Sequence, residues 1–287
     1  MFIKSSKFSD SELDKFRELQ QLSFSILENM ASELTVGLTE KEVAGALVRR
    51  YRDAGFTSFF HLPVVLFGER AALPGNFTVG KFFPKSRALQ EGDSVVLDAS
   101  PIADGYLVDT SYSFCLGECD NHRRMMFDLA RFRDQVCTAV NEGQTFKDIA
   151  ESVEQEIQQL GYESVHNKHP GEVLGHRAVK LPVMPFDWRL NGFDATSLSW
   201  FAYKDKIASI GLGKEAPLWN TSKNSDHAPH DGLWLVEPHA GLGAVGAKWE
   251  EILVIDDGEA YWLEDEPPHV RQWQQIVSQQ SYSPIPA

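Results

Sequence analysis

The stretch Val95-Val96-Leu97-Asp98-Ala99-Ser100-Pro101-Ile102-Ala103-Asp104-Gly105-Tyr106-Leu107-Val108-Asp109-Thr110-Ser111 decides the reading of this chain. Asp104-Gly105 lies between two apolar runs, and Asp-Gly is a strong signal for a two-residue hairpin turn because both positions tolerate positive φ. With those two residues as the turn, opposed positions have numbers summing to 209, so Ser100 faces Asp109 and Asp98 faces Ser111. Side chains alternate along a strand. Asp98 and Ser100 therefore share a face, and Asp109 joins them there. Two carboxylates diagonal on one face, with Cβ atoms about 7 Å apart, repel each other unless a cation lies between them. Asp98 and Asp109 are thus candidate cation ligands, whereas the turn itself accounts for Asp104.

Upstream, Ser9-x-x-Glu12 and Thr39-x-x-Glu42 are capping boxes, each opening an amphipathic helix. The first helix runs to about Leu34 and the second stops near Ala54-Gly55. β-like runs follow at His61 to Phe67, Ser94 to Ser100 and Tyr106 to Leu116. A second helical pair is expected from about His122 to Gly161. Its second member overlays the earlier helix at an offset of 106: Gly37 on Gly143, Thr39 on Thr145, Val43 on Ile149, Leu47 on Val153 and Gly55 on Gly161. Start signal, apolar face and stop signal recur together, which points to an internal duplication. Helices followed by strands, repeated once, predict an α+β domain whose halves face each other across a central site.

Downstream, Leu233-Trp234-Leu235-Val236-Glu237-Pro238 and Lys248-Trp249-Glu250-Glu251-Ile252-Leu253-Val254 each set an acid within an apolar β-like run. Acids in such runs are costly unless paired or bound to metal. Leu174-Gly175-His176 adds an imidazole. Across all 287 residues, 43% are hydrophobic, enough for a sizeable core, and the net charge of −14 disfavours nucleic acid or an anionic membrane as partner. There is no apolar run of membrane-spanning length and no leader-like N-terminus, and Cys115, Cys119 and Cys137 do not read as a disulfide framework. The expected setting is the cytoplasm.

The acids and His176, taken in order, resemble the metal-ligand set of the pita-bread metallohydrolases, the superfamily of methionine aminopeptidase, aminopeptidase P, prolidase and creatinase. Asp98 and Asp109 stand eleven residues apart, Asp109-Thr110-Ser111 fits the second element, Gly175-His176 the third, Glu237-Pro238 the fourth and Glu250-Glu251 the fifth. The likeness spans about Ser9 to Leu263 and matches the single-domain form. It implies one catalytic domain over 1–287 and two divalent transition-metal ions, Mn, Fe, Co or Zn. Asp98 would chelate one ion, Asp109 and Glu250 would bridge, and His176 and Glu237 would complete the second position. It also implies hydrolysis of a C–N bond, in a peptide or small-molecule amide, with Glu237 as proton shuttle and Glu251 behind the site or at the surface. A homodimer is compatible with this reading.

Two positions depart from the pattern. Ala71-Ala72-Leu73-Pro74 is followed by Gly75 where a substrate-facing His is usual, and Val183 stands where a second His is expected after His176. Both losses strike groups that hold and protonate a peptide. Nearby substitutes are His61, the first choice as a catalytic residue, and His227, His230 and His239; Arg177 and Lys180 are candidate anion contacts. The aromatic-rich segment 181–231 reads as an insertion near the active-site mouth, and 266–287 as a peripheral tail. Two other readings stay open: a member acting on a specialised small molecule, and a silent binding module. Such modules typically lose ligands that this chain keeps.

Overall fold

A computed structural model describes residues 3–76, 78–182, 188–211 and 216–281. The turn forms as its sequence requires, with Asp104 and Gly105 at φ 51° and 83°. Ala103 pairs with Tyr106, Asp98 with Ser111 and Ser94 with Cys115, so the register summing to 209 holds through both ladders. Between them the second strand breaks at Val108-Asp109. Asp109 therefore lies at a gap in the sheet, not within a regular ladder.

The helices are α1 (Asp10–Ser32), α2 (Glu40–Asp53), α3 (Val79–Phe82), α4 (Asp120–Asn141), α5 (Phe146–Gln159), α6 (Ala195–Ser209) and α7 (Pro268–Ser281). Strands β1 (Val64–Phe67), β2 (Ser94–Ala99) and β3 (Thr110–Cys115) form one antiparallel sheet in that order. A second sheet has the order β5-β4-β6-β9-β10, from β4 (Gly175–Ala178), β5 (Leu218–Trp219), β6 (Gly232–Val236), β9 (Glu251–Asp256) and β10 (Glu259–Trp262). Strands β7 (His239–Leu242) and β8 (Val245–Lys248) pair with each other. Bridges between Ser111 and Glu250 and between Tyr106 and Lys180 join the two halves, the first of them next to Asp98.

The offset of 106 is visible in the geometry. Thr39 and Thr145 both cap their helices through Oγ1, accepting from the N–H of Glu42 at 3.3 Å and of Asp148 at 3.1 Å. Past each helix, Phe56 N–H donates to Tyr51 O and Tyr162 N–H to Ile157 O, closing the same C-terminal motif at Gly55 and Gly161. Along β6, Leu233 and Leu235 enter the core under α1 and α2, while Trp234 and Val236 enter the one under α4, α5 and α7. Period-two alternation on one central strand thus seals two cores. Trp219, Trp234 and Trp249 are fully buried there, and each indole N–H donates to a backbone carbonyl.

The C-terminal segment corrects the expectation of a peripheral tail. Residues 268–281 form α7, whose Trp273 and His269 are buried, with His269 against the plane of Trp249. Residues 282–287 lie outside the described residues. In the 181–231 segment, Asp194 caps α6 by accepting from Ser197 N–H at 2.7 Å, and Phe193 and Phe201 turn inward. Val183 and Phe186 lie outside the described residues. No helix among the described residues is long and apolar enough to cross a membrane.

Two buried imidazoles make the fold acid-labile. Burial lowers His122 to about 4, and burial with the neighbouring His169 lowers His166 to about 4. The unfolded chain takes up protons near pH 6.5 that the fold refuses, so stability falls as pH drops from about 6.5 toward 4. Thermal melting is expected to lose ground over that window, and His122→Leu to flatten the loss.

Candidate active site

Each functional side chain arrives from a different element. Asp98 lies near the end of β2, Asp109 occupies the break before β3, His176 lies on β4, Glu237 follows β6, and Glu250 sits at the bridge to Ser111. His61 precedes β1 and bridges to Phe193. All are buried, with Asp109 and Glu250 1% exposed. All but Glu250 line a cavity of about 240 Å³ whose walls include Phe60, Phe82, Phe193 and Phe201, and Glu250 lies close to Asp109 and His176.

Lys248, at the end of β8, is the residue that sequence reasoning missed. Its Nζ donates to Asp98 Oδ2 at 2.6 Å and lies 2.8 Å from Glu237 Oε2 and 2.9 Å from Glu250 Oε2. Ser113 fixes its backbone from both sides, Oγ donating to Lys248 O and accepting from Lys248 N–H. Burial alone would lower the ammonium pKa, but Asp98, Glu237 and Glu250 raise it well above the usual lysine value. Burial and the Asp109 charge push Glu250 well above the carboxylate range. For Glu237, Lys248 and His169 outweigh burial and hold it well below.

His169 was likewise not expected. Ala71 O can only accept, so His239 donates to it through Nε2 at 2.7 Å and presents a bare Nδ1. His169 Nε2, 2.9 Å away, must then be the donor to His239, which turns His169 Nδ1 toward Glu237 Oε2 at 2.8 Å. The network therefore assigns one proton to the Nδ1–Oε2 contact. Burial first, then His169 and Lys248, keeps His239 well below the usual histidine range, consistent with its neutral place in the chain.

His61 and His176 both turn Nδ1 toward a neighbouring carbonyl, Leu62 O at 3.1 Å and Arg177 O at 3.3 Å. That leaves Nε2 of each facing acid: His61 lies 3.4 Å from Asp109 Oδ2 and 3.5 Å from Asp98 Oδ1, and His176 lies 3.6 Å from Asp109 Oδ2. Burial opposes charge on His61, but Asp109 and then Asp98 raise it to about 9. Asp98 Oδ1 and Asp109 Oδ1 are buried with no hydrogen-bond partner among the described residues.

Two triads have atoms close enough to hold a metal ion, His61–Asp98–Asp109 and Asp109–His176–Glu250. The donor set of carboxylate and imidazole suits Mn, Fe, Co or Zn. Asp109 belongs to both. Glu237, expected as a ligand, belongs to neither; its Oε2 is contacted by Lys248 and His169.

Other expected residues lie elsewhere. Arg177 stacks on Trp234 with its guanidinium 4.1 Å from the ring and donates to Asp231 O, and Lys180 binds Tyr106 Oη and Glu12, so neither lines the cavity. His227 and His230 stack on each other and do not line the cavity. Glu251 faces the opposite way, paired with Arg133 and His269.

The profile of metallopeptidase family M24 matches residues 14–257. The chain belongs to that family. An uncharacterised peptidase of Staphylococcus saprophyticus is 26% identical over 170 residues, 59% of this chain and 45% of that protein. The mitochondrial methionine aminopeptidase 1D of Danio rerio is 31% identical over 137 residues, 47% of this chain and 40% of its own. The chain thus matches less than half the length of these curated relatives. Among solved structures, an X-Pro aminopeptidase of Thermotoga maritima superposes with a TM-score of 0.66 at 20% identity, covering 92% of this chain and 63% of that one. A methionine aminopeptidase of Rickettsia prowazekii gives 0.62 at 14% identity, covering 90% of this chain and 99% of that one. The α+β pita-bread architecture that the motifs implied is the fold of this M24 chain.

Proposed function

We propose that the chain is a divalent-metal-dependent hydrolase that cleaves the C–N bond of a small peptide or aminoacyl amide, in the manner of an aminopeptidase. The observation that carries this reading is the convergence of Asp98, Asp109, Glu237 and three imidazoles on the lining of one apolar cavity, with Glu250 grouped beside Asp109 and His176. Four buried acids are expensive to keep. A silent binding module would have no use for that cost.

When bound at these ligands, a divalent ion polarises a carbonyl and acidifies water. The side chains supply the rest. His169 lines the cavity and shares a proton with Glu237, so this pair is placed to accept a proton from water and return it to the leaving amine. It takes over the task of the absent outer histidines, and His239 with Ala71 O locks its orientation. Phe60, Phe82, Phe193 and Phe201 exclude water and favour an apolar side chain at the scissile bond. At about 240 Å³ the cavity is smaller than the roughly 300–1,000 Å³ usual for drug-sized ligands, which fits a dipeptide or an amino-acid amide. The same closure favours, as the second reading, a specialised small-molecule amide.

His169→Gln is expected to lower kcat about 100-fold or more with little change in KM, because general acid–base groups contribute on that scale. Steady-state kinetics on a substrate found by screening apolar dipeptides and amides test it. A change confined to KM would move His169 from proton transfer to binding.

A further inference from the structure

Three of the acids already have a cation. The Lys248 ammonium sits among Asp98 Oδ2, Glu237 Oε2 and Glu250 Oε2 at 2.6, 2.8 and 2.9 Å, and the side chain is 2% exposed. Those are ammonium–carboxylate distances. Carboxylate oxygens around a transition metal lie closer, at about 2.0–2.2 Å. The oxygens expected to share a pair of ions are therefore gathered around a nitrogen.

What remains open lies on the other side of Asp98. Its Oδ1 and Asp109 Oδ1 are buried without a hydrogen-bond partner among the described residues, and His61 Nε2 faces Asp98 Oδ1 at 3.5 Å and Asp109 Oδ2 at 3.4 Å. Both separations exceed the usual 2.7–3.2 Å of an N–H···O bond. They match the edge of a tetrahedron with metal–ligand bonds of about 2.1 Å, which is about 3.4 Å. The contact from His61 Nδ1 to Leu62 O aims the ring, as carbonyls behind metal-binding histidines do. Glu250 Oε2 in the other triad also has no hydrogen-bond partner among the described residues, but it faces the Lys248 ammonium at 2.9 Å, a charge that already stands where a second ion would sit.

We propose that this centre takes one divalent ion, held by His61, Asp98 and Asp109, and that the Lys248 ammonium replaces the second ion of a two-ion site. The proposal rests on the reading of the site as metal-dependent and changes its ligand set: His61 becomes a ligand, Glu237 is released to work with His169, and His176 faces the substrate beside Asp109.

The test is a metal count on the full chain. Protein stripped of metal is dialysed to equilibrium against Mn²⁺ and, separately, Co²⁺, and bound metal is measured by elemental analysis. The expected result is one ion per chain, with at least ten-fold weaker binding in His61→Ala and a smaller change in His176→Ala. Lys248→Ala, which frees three carboxylates, is expected to bind two. Two ions in the unaltered protein overturn the proposal while leaving metal dependence intact, and so does an ion lost in His176→Ala but kept in His61→Ala. No ion at all overturns both this proposal and the functional reading beneath it. If Lys248→Ala does not fold, the count in the unaltered chain and the His61–His176 comparison still decide.

Discussion

Asp109→Asn is expected to weaken divalent-ion binding by at least about 100-fold and to leave the metal-free fold intact. Asp109 is the one residue common to both candidate triads. His61 and His176 each present Nε2 to its Oδ2, at 3.4 and 3.6 Å. Burial alone would raise its pKa, but His61 and His176 hold it below the usual range, so it stands ready as an anion. An asparagine keeps the shape and removes the charge. Even residues that merely orient a ligand cost 10–100-fold in affinity when changed, and loss of a charged ligand costs more. It also removes a charge that His61 and His176 favour in the fold, so the metal-free protein should keep its fold but melt somewhat lower. Calorimetric titration with Mn²⁺ and a thermal melt on the same sample check both halves.

Lys248→Met is expected to destabilise the metal-free protein by about 3–5 kcal/mol, the usual cost of stripping one partner from a buried ion pair. Asp98, Glu237 and Glu250 would each lose their nearest cation inside a cluster that solvent scarcely reaches. The pH dependence has a definite sign. Without the ammonium these carboxylates bind protons more tightly in the folded than in the unfolded state. The contribution of these acids to the variant's stability is then greatest at low pH and lost as pH rises through the raised folded values. Added divalent ion should restore much of it, because an ion bound only by the folded state stabilises by mass action. Urea unfolding at several pH values, with and without Mn²⁺, measures all three effects.

How much of this was legible depends on whether the deciding interaction was local. The Asp104-Gly105 turn sets its own register, so the pairing of Asp98 with Ser111 follows from a dipeptide and a count. The helix starts are equally local, since Thr39 and Thr145 need only the amide three residues on. The order of Asp98, Asp109, His176, Glu237 and Glu250 could be read as a site because a pattern links them, although nothing in the chain says which oxygen faces which.

Lys248 carried a usable signal: at two residues before Glu250 in an apolar run, it should share that acid's face. His169 carried none, because its partners Glu237 and His239 are 68 and 70 residues away and only the fold brings them together. The Gln- and Ser-rich composition after Pro267-Pro268 suggested a loose end, yet His269 and Trp273 supply enough apolar and ring contact to dock α7. Composition averaged over a segment hides two anchoring residues.

The measurement closest to the central claim is amine release from apolar dipeptides and amino-acid amides by the ion-loaded chain, run beside the chelated protein and Asp109→Asn. The account predicts product from the loaded, unaltered protein alone. Release that survives both chelation and Asp109→Asn, or a loaded protein that cleaves none of these bonds, would contradict it.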